Sequence, residues 1–162
     1  MSKEYYWRTG RSCVFKNFIH LVFVPKYQQN VFSKIMLKRL FEIFLETCDQ
    51  MDVELLEFEG DNDHVHLMVC CPPKLAVSNL VSKLKGKSSY VLRREFWSEI
   101  KKKLWNNHFW SPSYCMVSCG GASLEIIKQY INNQKIPSSQ NQINQSKKFA
   151  GKKRDKNKYW LA

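Results

Sequence analysis

Residues 53–70 read VELLEFEGDNDHVHLMVC, two short runs rich in branched and aromatic residues joined by Gly60-Asp61-Asn62. VELLEFE (53–59) and HVHLMVC (64–70) have the composition of strands. The Gly-Asp-Asn turn between them predicts an antiparallel hairpin. On the N-terminal side, Leu37, Leu40, Phe41, Phe44, Leu45, Cys48 and Met51 recur at helical spacing. They predict one stripe of an amphipathic helix over 34–51, with Ser33 as its N-cap. Before it, FIHLVFV (18–24), ended by Pro25, reads as a buried strand. On the C-terminal side, Pro72-Pro73 break the chain. Val77, Leu80, Val81, Leu84, Val91 and Leu92 then mark a second helix over 76–96. Gly86 lies inside it, a weak point worth about 1 kcal/mol against Ala. SYCMVSC (113–119) reads as a fourth strand and Gly120-Gly121 as a flexible joint. Ser123 caps a third helix over 124–134, whose Glu125 suits the positive N-terminal end. Residues 97–112 are aromatic and basic and carry no clear period. The order strand–helix–strand–strand–helix–strand predicts an α+β, ferredoxin-like (split βαβ) fold: an antiparallel sheet with helices on one face, plus the C-terminal helix that bears Tyr130. That fold hosts binding modules, metabolic enzymes and nucleases alike, so function must be read from side chains.

The chain has 162 residues, 44% hydrophobic and 14% aromatic, enough for one domain with a real core. No apolar run approaches the roughly 18 residues needed to cross a bilayer. The polar start MSKEYYWRTGRS has no signal-peptide core, so a cytoplasmic protein without membrane contact is expected. The six cysteines form no CxxC pair; reduced, partly buried thiols are expected rather than disulfides or a zinc site. Cys70 and Cys71 are expected to point to opposite faces of their strand. The net charge of +12 suggests a polyanionic partner, nucleic acid being the commonest. It is uneven: residues 135–162 hold 8 of the 26 basic and 1 of the 14 acidic residues, so this Ser-, Gln-, Asn- and Lys-rich tail carries over half of the excess.

Three features carry chemistry. In Asp63-His64-Val65-His66 the histidines project from the same face of a strand and Val65 from the other, so two imidazoles can grip one metal ion; a polar row on a half-buried strand is the plainer reading of such a pair. Tyr130 and Gln134 stand at i and i+4 of the third helix, on one face. Lys83, Lys85, Lys87, Ser88, Arg93 and Arg94 place cations and a hydroxyl along the second helix, suited to phosphate contacts, although a solvated face is commoner. Trp97, Trp105, Phe109, Trp110 and Tyr114 suit either base stacking or, slightly ahead, a satellite core or dimer interface.

The chain resembles the TnpA-type transposases of small, IS200-like insertion sequences, single-tyrosine members of the His-hydrophobic-His (HUH) nucleases. The resemblance is carried in order by HLVFVPKY (20–27), GDNDHVHLMVCCPPK (60–74), LVSKLKGKSSYVLRREF (80–96), LWNNHFWSPSYCMVSCGG (104–121) and SLEIIKQYINNQ (123–134). It implies a transposase domain over 1–134, followed by the basic polar tail 135–162. It implies that His64, His66 and Gln134 bind a divalent cation, Mg²⁺ or Mn²⁺, and that Tyr130 is the nucleophile. Attack on DNA would leave a 5′-phosphotyrosine and a free 3′-hydroxyl, retaining the bond energy; no nucleotide cofactor is required, and no Walker motif is present. Family membership further implies single-stranded DNA with hairpin ends as substrate, a homodimer with a tyrosine helix able to dock on the partner, and a place at the nucleoid.

Other readings keep part of this pattern. A domesticated HUH nickase acting on host repeats would use the same chemistry. A non-catalytic single-strand nucleic-acid-binding protein would need neither metal nor adduct, and the strands carry no RNP-type aromatic motif. A zinc hydrolase site built on His64 and His66 lacks a third spaced ligand, although Asp61 and Asp63 are close.

Overall fold

The computed structural model describes residues 7–104 and 108–119. All of them lie in the first of the two units into which the chain divides, residues 1–122. The expected third helix with Tyr130 and Gln134, the Gly120-Gly121 joint, Trp105 and the 135–162 tail fall outside the described residues.

The elements are β1 (Arg8–Thr9), β2 (Val14–Phe15), β3 (Phe18–Phe23), α1 (Lys34–Gln50), β4 (Glu54–Asp61), β5 (His64–Cys70), α2 (Val77–Glu95), α3 (Trp97–Ile100) and β6 (Cys115–Ser118). A short 3₁₀ turn at Lys26–Gln28 follows β3. β3 to β6 form an antiparallel four-stranded sheet in the order β4-β5-β3-β6. α1 connects β3 to β4, and α2 lies in the connection from β5 to β6, giving the expected α+β arrangement. Ile19, Leu21 and Phe23 of β3 and Val65, Leu67 and Val69 of β5 share one core with Met36, Leu40, Ile43 and Phe44 of α1 and Leu80, Val81, Leu84 and Leu92 of α2. Alternation along the strands thus turns every second residue towards the helices.

Ser33 caps α1, its hydroxyl accepting from the Met36 amide at 3.3 Å. The buried face of α1 is rotated from the expected stripe. Phe41 and Leu45 are exposed, while Met36, Ile43 and Thr47 are buried. Phe41 instead covers the rim, 5.5 Å from the Phe58 ring. Thr47 is accommodated inside because its hydroxyl donates to Ile43 O at 2.7 Å, satisfying a polar group that burial would otherwise penalise.

β4 holds a feature that strict alternation hides. Leu55 pairs with Val69 and Phe58 with Leu67, with a register shift between Leu55 and Glu57. Leu55 and Phe58 are three apart, yet the bulge brings both to the helix side. Gly60 follows on the same side. A Cβ there would stand 2.5 Å from Leu37 Cδ2 and 3.2 Å from Val65 Cγ1, so α1 rests against bare backbone.

Trp97–Ile100 form α3, and residues 109–111 return alongside residues 24–26. Lys26 N donates to Phe109 O and Ser111 N to Val24 O, each at 2.9 Å. This drives Phe109 and Trp110 into the main core, where Trp110 meets Phe23, Phe32 and Phe44. The small β1-β2 hairpin is fastened by Arg8, which donates to Cys70 O at 3.0 Å and pairs with Asp52 Oδ1 at 3.1 Å. All six cysteines are free. Cys71 joins the helix-side core and Cys70 faces away from it, as expected.

Candidate active site

The second face of the sheet carries the titratable groups. β5 presents His64, His66, Met68 and Cys70 there, and β3 presents Phe18, His20 and Val22. Burial is graded along it: Phe18, His20, Met68 and Cys70 are buried, whereas His64 and His66 are half-buried. The expected pair is therefore brought together on one face, its rings 4.9 Å apart and nearly perpendicular at 89°.

Each ring is held from behind. His64 Nδ1 lies 2.6 Å from Asp63 Oδ1. A carboxylate only accepts, so it is His64 Nδ1 that carries the proton in this contact. His66 Nδ1 lies 3.2 Å from His20 Nε2. His20 sits in HLVFVPKY but no local spacing marks it as part of a site; its neighbour is 46 residues away. The contact follows from register, since Val22 opposes His66 and His20 opposes Met68, which makes His20 and His66 diagonal neighbours.

Burial, followed by the charges of His64 and His20, pushes His66 down to about 4. Burial also lowers His20. Both shifts favour the neutral ring of His66 and of His20, the form in which imidazole binds metal. Among the described residues no group of three or more His, Cys, Asp or Glu side chains could hold a metal ion. His64 and His66 thus fit a cation as a donor set of two imidazoles on one face of the sheet. Beside them β4 lays an acidic row: Glu57 opposes Met68, Glu59 opposes His66 and Asp61 opposes His64.

The cations of α2 divide. Lys83 and Arg94 are exposed, Arg94 donating to the Tyr90 hydroxyl at 3.2 Å. Lys87 pairs with Glu46 at 3.0 Å, and Arg93 is half-buried. Lys85 is turned inward. Its ammonium donates to Ser111 O and Ser113 O, both at 2.8 Å, over the rings of Phe23 and Tyr114, and burial lowers its pKa. Ser88 corrects an expectation. It is 0% exposed, donates to Leu84 O at 2.6 Å and accepts from Trp110 Nε1 at 2.9 Å. Its hydroxyl is committed inside the core and is not available to phosphate. Of the aromatic set, Trp97 and Tyr114 are exposed while Phe109 and Trp110 are core residues.

Residues 13–134 match the family described as Transposase IS200 like. The chain belongs to the IS200-like transposase family. It is 36% identical over 115 residues to the transposase for insertion sequence element IS200 of Salmonella typhimurium, covering 71% of this chain and 74% of that one. It is 32% identical over 129 residues to the ISDra2 transposase TnpA of Deinococcus radiodurans, covering 78% and 90%. A crystal structure of a candidate transposase from Deinococcus radiodurans R1 superposes with a TM-score of 0.63 at 30% identity, covering 78% of this chain and 97% of that one. For an IS200-like transposase, the match spans both the histidine strand and the segment holding Tyr130 and Gln134. Among the described residues no helix is long and apolar enough to cross a membrane.

Proposed function

We propose that this IS200-like transposase nicks and rejoins single-stranded DNA at insertion-sequence ends through Tyr130. The observation that carries the reading is the pair His64–His66, side by side on the histidine face with a partner at hydrogen-bond distance from each Nδ1. His64, His66 and Gln134 are the residues that would hold Mg²⁺ or Mn²⁺. Bound there, the cation supplies charge stabilisation at the scissile phosphate and the departing oxygen. The Tyr130 oxygen attacks phosphorus as its proton is removed; the bond to the 3′-oxygen breaks, and that oxygen leaves as a 3′-hydroxyl. A second 3′-hydroxyl then attacks the 5′-phosphotyrosine, breaking the bond to Tyr130 and returning its proton. No external energy source is needed, because one phosphodiester is exchanged for another.

The fold reads as ferredoxin-like with an added tyrosine helix, the transposase domain spanning 1–134 and the basic tail 135–162. Hairpin-ended single strands are the substrate. Lys83, Lys87, Arg93 and Arg94 contact the backbone, and the tail adds salt-sensitive affinity. Lys85 and Ser88 act on DNA only through the shape of α2 and its neighbours. The protein works as a homodimer at the nucleoid in the cytoplasm.

The test is a denaturing gel of labelled single-stranded DNA carrying the element's end hairpin, incubated with protein and Mg²⁺ or Mn²⁺. A covalent protein–DNA adduct is expected, and it should vanish with Tyr130→Phe, His64→Ala or EDTA. Cleavage that persists with Tyr130→Phe would refute the tyrosine mechanism.

A further inference from the structure

We propose that His20 is a positioning residue for His66: its Nε2 accepts a hydrogen bond from His66 Nδ1, which fixes the His66 tautomer with a bare Nε2 and sets the ring's direction. The inference rests on the metal reading above for its purpose, but the contact itself is a property of the protein alone.

Four observations lead to it. The His66 Nδ1 to His20 Nε2 distance is 3.2 Å, within hydrogen-bond range. The two rings are nearly parallel at 10° with centroids 5.2 Å apart. At the 3.2 Å nitrogen–nitrogen distance, an N–H on one ring reaches the lone pair of the other. His20 is 7% exposed and stands on a strand whose register with β5 is continuous from Phe18 to Phe23, so its ring is held where a solvent-exposed acceptor would wander. Finally, His64 is supported in the same manner by Asp63. The two rings therefore have one design from two sources: an acceptor behind Nδ1 and a free Nε2 in front. A buried imidazole that engages one ring nitrogen fixes which nitrogen of its neighbour carries the proton, and partners behind metal-binding histidines commonly change metal affinity by about 10–100-fold.

The assignment has a direction. Were His20 the donor, its Nε2–H would point at His66 Nδ1, and the His66 proton would sit on Nε2, where a cation must bind. The proposal requires the reverse, with the His20 proton on Nδ1.

Imidazole ¹⁵N chemical shifts of the metal-free protein at neutral pH test this directly. The wild-type His66 is expected as the Nδ1–H tautomer, and finding it as Nε2–H would overturn the proposal without any variant. His20→Ala should shift His66 towards a mixture of tautomers and weaken Mn²⁺ binding, followed by electron paramagnetic resonance, by about 10–100-fold. His20→Gln, whose amide oxygen can accept at the position of Nε2, should restore both. If His20→Ala does not fold, the His20→Gln and wild-type spectra still decide the matter. A His66 tautomer and Mn²⁺ affinity unchanged in folded His20→Ala would refute the positioning role while leaving the metal reading intact. Unchanged Mn²⁺ binding in His66→Ala would instead refute the metal reading, and the tautomer measurement would still judge the contact.

Discussion

The two faces of the sheet are made by the same strands and behave oppositely. Towards the helices, Leu21, Phe23, Val65, Leu67 and Val69 are almost fully buried in the apolar core. One residue along in each case, β3 and β5 offer His20, His64 and His66. The helix face is closed and interchangeable in chemistry, its value measured in packing. The histidine face is defined by which nitrogen points where. Graded burial makes this possible: enough at His20 and His66 to orient the rings and favour their neutral form, with His64 and His66 left part-exposed. Substitutions on one face should therefore change stability, and on the other ligand binding, with little crossing between them.

The largest expected effect lies on the helix face. Phe44 is fully buried and touches the rings of Phe23, Phe58 and Trp110. Phe44→Ala should lower unfolding free energy by about 3–5 kcal/mol in urea titrations. The Mn²⁺ affinity of the fraction still folded should match wild type; a parallel loss of affinity would break the separation of the faces.

A smaller effect sharpens the boundary on α2. Ser88→Ala leaves the Trp110 indole N–H buried without its acceptor and should cost about 1–3 kcal/mol, while the salt dependence of DNA binding stays as in wild type. Lys83→Ala should do the reverse: stability within about 0.5 kcal/mol, and a salt slope lowered by about one phosphate contact. Equal salt-slope losses in the two variants would restore Ser88 to the DNA contact.

The third effect belongs to the histidine face and is read through pH. His66 is held down to about 4 and His20 is also lowered, both from an ordinary value of 6.5. Below pH 6.5 the unfolded chain takes up protons that the folded chain refuses, so stability rises with pH across this window. The contribution is fully present above about 6.5 and is lost as pH falls towards 4. Urea midpoints measured from pH 7 to 4 should fall, and should fall less in His66→Ala. Identical pH profiles would show that these rings are not desolvated in solution.

Much of this architecture was legible in the chain because its signals are local. HVHLMVC forms β5 over the predicted residues, and Ser33 and Pro72-Pro73 mark real boundaries. The pairing of His64 with His66 needed only the two-residue period of a strand. What local pattern could not carry was long-range. The β1-β2 hairpin has two residues per strand, too few for a period. Phe109 and Trp110 lie in an aperiodic stretch and enter the main core only through backbone pairing with residues 24–26. Lys85 and Ser88 looked like their basic and hydroxylated neighbours, yet their side chains are claimed by residues more than twenty positions away. His20 was hidden for the same reason. Tyr130 and Gln134 lie outside the described residues, so their roles rest on the sequence and the family.

The bulge in β4 works as a change of reading frame. Upstream of it Glu54 opposes Cys70, and downstream Glu57, Glu59 and Asp61 oppose Met68, His66 and His64; the extra residue, Leu56, keeps all four acids in phase with the histidine face. Removing one residue there would put the strand out of phase, sending either Leu55 to the wrong side or the carboxylates into the core. The same phasing gives the site a polarity. The β4 side of the histidines is lined with carboxylates, and the β3 and β6 side is not. A single inserted residue thus decides that the histidines have carboxylates, rather than leucines, for neighbours.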